Sequence, residues 1–365
     1  IDSKAEQRSF LFSGGQGTGK SVAIKRVLDT IRARGQRAVV YDKTGEFVEA
    51  YYREGYDYII NPFDTRTEVW NIFKDFDRFT YDQLATLIPS SSSEQQFWTD
   101  SARKLLRTII EESNSTDEIL YYLDGAPLPA LMKMMMMAGQ AGMVSNETTF
   151  GSIRSTAGGV GCSDFFLMQP HIRKEDKDGF SINEYLAEKD DRWIFLSVNS
   201  SHMLKQVNYI SLFYNTLVER VLSLTPDKER KLWLVLDELP SLPPMDSIVT
   251  ALAEGRKYGL VVLAGVQQMS QLKAKYKDER ATTLWGLFAT RLYLGTKEAE
   301  SAEAMSKDIG EVKLMRKNVS KSESASGSTL FPDKNAAQPT SSTSYEYKSQ
   351  PAVMPSQIIG LTPLN

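Results

Sequence analysis

Cysteine and histidine are almost missing from this chain: Cys162, His171 and His202 are the only examples among 365 residues. A single cysteine excludes an internal disulfide, a thiolate zinc cluster and an iron–sulfur centre. Two histidines leave no material for a histidine-rich metal site. Long apolar runs are lacking too, none approaching the roughly 18 to 20 residues that cross a bilayer as a helix. The first residues run straight into a short apolar stretch and a glycine loop, with no leader pattern before them. They include no initiator methionine, so the sequence reads as part of a longer protein, with any membrane segment outside it. Strong charge of one sign is also absent. The net charge of −3 argues against a surface that is basic all over, although a local basic channel is compatible with that total.

What is present is the composition of a globular protein folded in water, 41% hydrophobic and 24% charged. The length suits one large domain or two of ordinary size. Phe10 to Phe12 is a short apolar run ahead of glycines and reads as a buried strand. Val22, Ile24, Val27, Leu28 and Ile31 then recur at helical spacing until Gly35. Arg37 to Asp42 and Asp57 to Ile60 follow as a second and a third strand, so the opening is a strand–helix–strand unit of a parallel sheet.

From about Ile72 to Glu188 the strand-like runs vanish, and helical segments such as Phe97–Ile110, Ile119–Leu123 and Leu128–Met137 take over. Strands return at Trp193–Val198, Leu232–Leu236, Leu260–Ala264 and Arg291–Leu294. The chain is therefore expected to be an α/β protein split by an all-α insertion. The expected boundaries are residues 1–71 and 189–365 for the nucleotide-binding part and 72–188 for the insert. Residues 318–350 turn to Ser, Thr, Lys and Pro and are expected to form a mobile loop or an extended hairpin.

The stretch Gly14, Gly15, Gln16, Gly17, Thr18, Gly19, Lys20, Ser21 fits the phosphate-loop pattern G-x-x-x-x-G-K-[ST] in full. Backbone N–H groups of such a loop cradle phosphate oxygens, and glycine is required where a Cβ would block that approach. Lys20 is the candidate for the β and γ phosphates and Ser21 for Mg²⁺, with Val22 completing the nucleotide-binding segment. The following helix turns its positive end toward the same anion. ATP and Mg²⁺ are the ligands this pattern calls for.

Leu232 to Glu238 is an apolar strand that ends in two carboxylates. Beside a phosphate loop, Asp237 is expected to hold Mg²⁺ through its water shell, and Glu238 to orient or deprotonate the attacking water. The next strand leads into Gln267, a polar group placed to sense the γ-phosphate. Arg256, between the two strands, is a candidate for lending positive charge to a neighbouring subunit's nucleotide, with Lys257 and Arg291 as rivals.

Together these residues resemble the type IV secretion coupling proteins of conjugative plasmids, in particular the TraD-like branch related to FtsK- and RecA-fold motors. The resemblance spans nearly the whole chain. It is carried by Gly14–Ser21, Tyr41-Asp-Lys-Thr-Gly-Glu-Phe47, Asn61-Pro-Phe-Asp64 with Arg66, and Trp70-Asn71. Leu236-Asp-Glu-Leu-Pro-Ser-Leu242 and Ala264-Gly-Val-Gln-Gln-Met-Ser-Gln-Leu272 complete it. It implies a RecA-like nucleotide-binding domain with a parallel-dominated sheet, a homo-hexameric ring, and passage of single- or double-stranded DNA through its channel. It also implies contacts with a relaxase or relaxosome and with secretion-channel components, at the cytoplasmic face of the bacterial inner membrane. In the family the arginine matching Arg256 lies at the subunit interface, and the glutamine matching Gln267 faces the nucleotide. A coupling ATPase for protein effectors, or a P-loop switch without motor action, are the alternatives that the residues leave open.

Two further features carry less. Met132 to Met137 interrupted by Lys133 suits packing in a small helical domain better than an adaptable docking face. Lys273, Lys275, Lys277 and Arg280 suit a solvated helix better than a phosphate track.

Overall fold

The computed structural model describes residues 8–88, 95–159, 162–198, 200–322 and 340–363. Seven strands form the central sheet: β1 (Phe10–Ser13), β2 (Arg37–Asp42), β3 (Tyr58–Ile59), β4 (Ile194–Ser197), β5 (Leu232–Leu236), β6 (Leu260–Val266) and β7 (Thr290–Tyr293). Their order is β3-β4-β2-β5-β6-β1-β7, and every pairing is parallel. Strands covered on both faces need apolar residues at every position, which is why β5 and β6 are buried along their whole length. A separate antiparallel ribbon joins β8 (Glu311–Ser322) to β9 (Thr340–Pro351). Its arms begin before the predicted 318–350 stretch, and residues 323–339 lie outside the described residues.

Helices α1 (Lys20–Ala33) and α2 (Glu46–Tyr51) cover one face of the sheet. They pack Ile24, Leu28, Ile31 and Phe47 against Phe10, Val40, Trp233 and Leu263. Between β3 and β4 the described helices are α3 (Ile72–Asp75), α4 (Tyr81–Leu84), α5 (Gln96–Glu112), α6 (Thr116–Leu120), α7 (Leu128–Met137), α8 (Glu147–Ala157), α9 (Cys162–Met168) and α10 (Ile182–Ala187). They share one continuous core with α11 (Met203–Ser223), α12 (Asp246–Glu254) and the other sheet face. Helices α13 (Met269–Tyr276), α14 (Asp278–Leu287), α15 (Ala299–Ile309) and α16 (Pro355–Ile359) complete the chain.

Where the chain leaves the sheet for these helices, it is tied to the point where it comes back. The Asn71 N–H donates to the Phe180 carbonyl at 2.9 Å and the Phe180 N–H to the Val69 carbonyl at 2.7 Å. The buried Asp75 carboxylate accepts from Trp70 Nε1 at 2.7 Å, Ser181 Oγ at 2.7 Å, and the N–H groups of Ile182 and Asn183 at 2.8 and 2.9 Å. It thus takes up donors at the start of α10 that a helix cannot satisfy internally. Trp70 stands at the same junction, edge-on to Phe165, Tyr209 and Phe213.

Several strand ends differ from the sequence reading: β4 is Ile194–Ser197 within the expected Trp193–Val198, and β6 runs on to Val266 past the expected Ala264. β3 keeps only Tyr58 and Ile59 of the predicted Asp57–Ile60, because the Asp57 carboxylate receives the Trp193 N–H at 2.8 Å and pairs with Arg32 and Arg53. β7 starts at Thr290, one residue before the prediction.

Asp75→Ala strands four donors at the junction, and each unpaired buried donor costs about 1–3 kcal/mol. A loss of about 3 kcal/mol or more is expected, read as a lower denaturant midpoint, with Asp75→Asn intermediate because it keeps one acceptor oxygen.

Candidate functional site

The parallel register brings the predicted residues to one end of the sheet. Ser13 pairs with Val266, and the Gly14 N–H then donates to the Val266 carbonyl at 3.2 Å. The Gly15 N–H donates to the Gly295 carbonyl at 2.9 Å, so the turn after β7 walls the loop on its other side. A Cβ on Gly14 would come within 2.6 Å of the Leu294 Cβ. Thr18 Oγ1 donates to the Gly15 carbonyl at 2.8 Å and holds the loop folded back on itself. Gly19 has a left-handed φ of +94° and serves as the N-cap of α1. The first turn of α1 contains no acidic residue, so its N–H groups and dipole meet no competing carboxylate from the helix itself. Gln16, Gly17 and Val22 are exposed, while Gly15, Thr18, Gly19 and Ser21 are half-buried.

Lys20 is buried and lies across from the end of β5, its Nζ 3.4 Å from Glu238 Oε2. The predicted lysine and the predicted acidic pair therefore share one pocket, although 218 residues separate Lys20 from Glu238. Asp237 Oδ1 and Glu238 Oε1 are buried without a hydrogen-bond partner among the described residues. Two orphaned carboxylate oxygens facing a glycine loop suit a hydrated divalent cation, and Ser21 is the hydroxyl that stands next to Lys20 in the same helix turn. Mg²⁺ is commonly held this way, by one or two protein oxygens with the rest supplied by phosphate and water.

Burial pushes the Asp237 carboxyl up to about 6; the Lys20 ammonium pulls it back down, while Glu238, Asp42 and Glu46 raise it further. Below the pocket, Ser241 Oγ donates to the Glu238 carbonyl at 2.6 Å, and the Tyr41 hydroxyl lies 2.8 Å from the same Ser241 oxygen. These contacts fix the backbone that follows β5.

Gln267 is half-buried and directly follows Val266, at the mouth of the loop. Arg256 is exposed on the 3₁₀ turn Gly255–Tyr258 ahead of β6. The seven residues of β6 separate it from Gly265 and Gln267 by roughly 20 Å at a strand rise of about 3.3 Å per residue. Arg256 is thus not brought together with Lys20, Asp237 and Glu238 of its own chain. Lys257 shares that turn. Arg291 is turned toward α15, donating to the Phe288 carbonyl at 2.9 Å and pairing with Asp308.

Sequence reasoning missed Gly265 and the role of Asp42. A Cβ on Gly265 would fall 1.9 Å from the Asp237 carbonyl oxygen and 3.4 Å from Lys20 Cδ, so only glycine lets β6 pass under the pocket. A glycine inside a strand is itself a sign of such an approach. The Asp42 carboxylate accepts from the N–H groups of Gly45, Phe47 and Val48, each at 2.8 Å, and secures the turn into α2 beside the site.

An all-parallel sheet with a glycine loop on β1 and an acidic pair ending β5 defines a P-loop nucleotide-binding protein of RecA-like fold. The sequence profile of the type IV secretion-system coupling protein DNA-binding domain matches residues 1–365, and the chain belongs to that family. Among its relatives is the coupling protein TraD of Escherichia coli (strain K12), 27% identical over 322 residues. That match covers 84% of this chain and 44% of TraD. The solved structure of the bacterial conjugative coupling protein TrwBdeltaN70 superposes with a TM-score of 0.82 at 27% identity, covering 100% of this chain and 82% of that one. The plasmid coupling protein TrwB in complex with ADP and Mg²⁺ gives 0.80 at 26% identity, covering 100% and 83%.

A carboxyl whose folded value is raised binds more protons in the native state than in the unfolded chain, so stability falls as pH rises through the interval from about 4 to about 6. Without nucleotide or metal, Asp237→Asn is expected to melt above the wild type at pH 8, by a few degrees in a thermal scan. The two curves should converge below about pH 4.

Proposed function

We propose that the chain is the ATP-hydrolysing motor region of a conjugative coupling protein, in which subunits assemble as a ring and drive DNA toward a secretion channel. The observation that carries this reading is the closure of Lys20 on Glu238 across one pocket at the end of an all-parallel sheet. Backbone amides from Gly14 to Ser21 bind the triphosphate, with Val22 at the edge of the same segment. Lys20 neutralises the β and γ phosphates, and Ser21 with Asp237 holds Mg²⁺, which screens the phosphate charge when bound. Glu238, freed from Lys20 when phosphate takes up that ammonium, orients the attacking water and accepts its proton. Gln267 reports the γ-phosphate to the strand ends. TrwB complexes with ADP and Mg²⁺ and with a non-hydrolysable ATP analogue support the choice of ligands.

Arg256 completes the site of a neighbouring subunit. Its position at the far end of β6 supports action between chains, because the arginine at that end cannot reach its own phosphate loop. Residues 72–188 act as a unit facing the relaxosome and its DNA. In the cell the ring stands at the cytoplasmic face of the bacterial inner membrane, against components of the secretion channel. No helix among the described residues is long and apolar enough to cross a membrane.

Lys20→Ala is expected to abolish nucleotide binding and turnover together. Arg256→Ala should reduce turnover by about 1,000-fold or more, the low end of what a transition-state arginine contributes, and leave ATP affinity within about twofold. Mixing the two inactive variants should restore activity, since an intact site then forms between unlike subunits. Steady-state ATPase assays across protein concentration, with and without single-stranded DNA, provide the check. A rate that ignores both variables would favour a switch over a motor.

A further inference from the structure

The β8–β9 ribbon projects with its described side chains largely in solvent. Twelve residues of one arm pair with twelve of the other, from Glu311↔Pro351 to Ser322↔Thr340. At its base the ribbon is tied to the body, where the Ala352 N–H donates to the Gly310 carbonyl and Ser306 Oγ to the Val353 carbonyl. Side chains alternate between the two faces of a strand, and directly opposed residues share a face. Tyr345, Tyr347, Lys313, Met315 and Lys317 therefore lie together on one face, with Lys317 opposite Tyr345 and Met315 opposite Tyr347; Glu311 shares the face at the base of the ribbon, where its carboxylate accepts from Ser349 Oγ.

Both tyrosines are more than half exposed, at 60% and 71%. Lysine on a free ribbon is a common guard against edge-to-edge pairing, but exposed tyrosines work against that purpose. The two arms together carry five basic and two acidic residues, a net charge of +3 in a chain whose total is −3. Positive charge concentrated on one projecting element, interleaved with unpacked aromatic rings, is complementary to a polyanion that also offers flat apolar faces.

We infer that this face binds single-stranded nucleic acid, with Tyr345 and Tyr347 stacking on bases and Lys313 and Lys317 meeting phosphates. The tyrosines stand about 6.8 Å apart along β9 at a strand rise of about 3.4 Å, a spacing that suits bases splayed from a stretched strand. Duplex DNA hides its base faces and offers the rings nothing to stack on, so the ribbon selects the unpaired form. The inference rests on the DNA-motor reading and names the element of the chain that grips the strand.

The test uses the whole chain and a fluorescein-labelled 30-nucleotide oligo-dT, followed by anisotropy with and without a non-hydrolysable ATP analogue. Tyr345→Ala with Tyr347→Ala should weaken binding tenfold or more. Tyr345→Phe with Tyr347→Phe, which keeps the rings, should stay within about twofold. Lys313→Gln with Lys317→Gln should reduce the slope of log affinity against log salt by about 1.4. Val312→Thr with Leu314→Thr, on the opposite face, should leave binding intact, which separates loss of the surface from collapse of the ribbon. DNA-independent ATP hydrolysis should not change in any of them. Wild-type affinity retained in the alanine pair overturns the ribbon's role and leaves the motor reading standing. A wild-type chain that binds no DNA in either nucleotide state overturns both. Loss of self-association in sedimentation, with DNA affinity unchanged, also overturns the inference and assigns the ribbon to contacts between copies.

Discussion

The structure is organised around a buried electrostatic problem, two adjacent carboxylates set at the end of β5 with one ammonium opposite them. Asp237 and Glu238 are nearly solvent-free, and a single lysine cannot balance both. In a medium of low effective dielectric an uncompensated charge is expensive, and the Asp237 carboxyl responds by holding its proton more tightly. Folding alone leaves the pocket short of positive charge. A hydrated divalent cation beside the acidic pair would supply what is lacking there.

That pocket exists only because of the surrounding backbone. The strand order puts β6 between β1 and β5, so the glycine loop and the acidic pair face each other across one intervening strand. Gly265 keeps that strand from filling the gap, and the turn at Gly295 closes the loop from the edge of the sheet. The hydroxyls of Ser241 and Tyr41 hold the chain just beyond the acids.

Much of this was legible from the order of residues. Strands β5 and β6 are apolar along their whole length, and β2 is apolar from Ala38 to Tyr41, as buried parallel strands must be. The phosphate loop and the acidic pair announce themselves because their chemistry allows few alternatives. What escaped notice has a common cause. The groups that Asp75 gathers at Ser181 and Asn183 lie 106 and 108 residues away, and no local pattern records a hydrogen bond of that reach. The arms of the β8–β9 ribbon are exposed on both faces, so they lack the alternation that betrays a half-buried strand, and the arm at Glu311 was read as beginning later than it does. Gly265 was placed beyond the strand that ends at Ala264, since the constraint on it comes from Asp237 on a neighbouring strand.

Trp70 has a mechanical implication. Its ring is wedged edge-on among Phe165 of α9 and Tyr209 and Phe213 of α11, in a core that runs unbroken from the helices between β3 and β4 to the sheet. Close-packed interiors have low compressibility and transmit strain. A hinge at this junction would have to open a void around a tryptophan, so the packing ties the helices between β3 and β4 to the sheet.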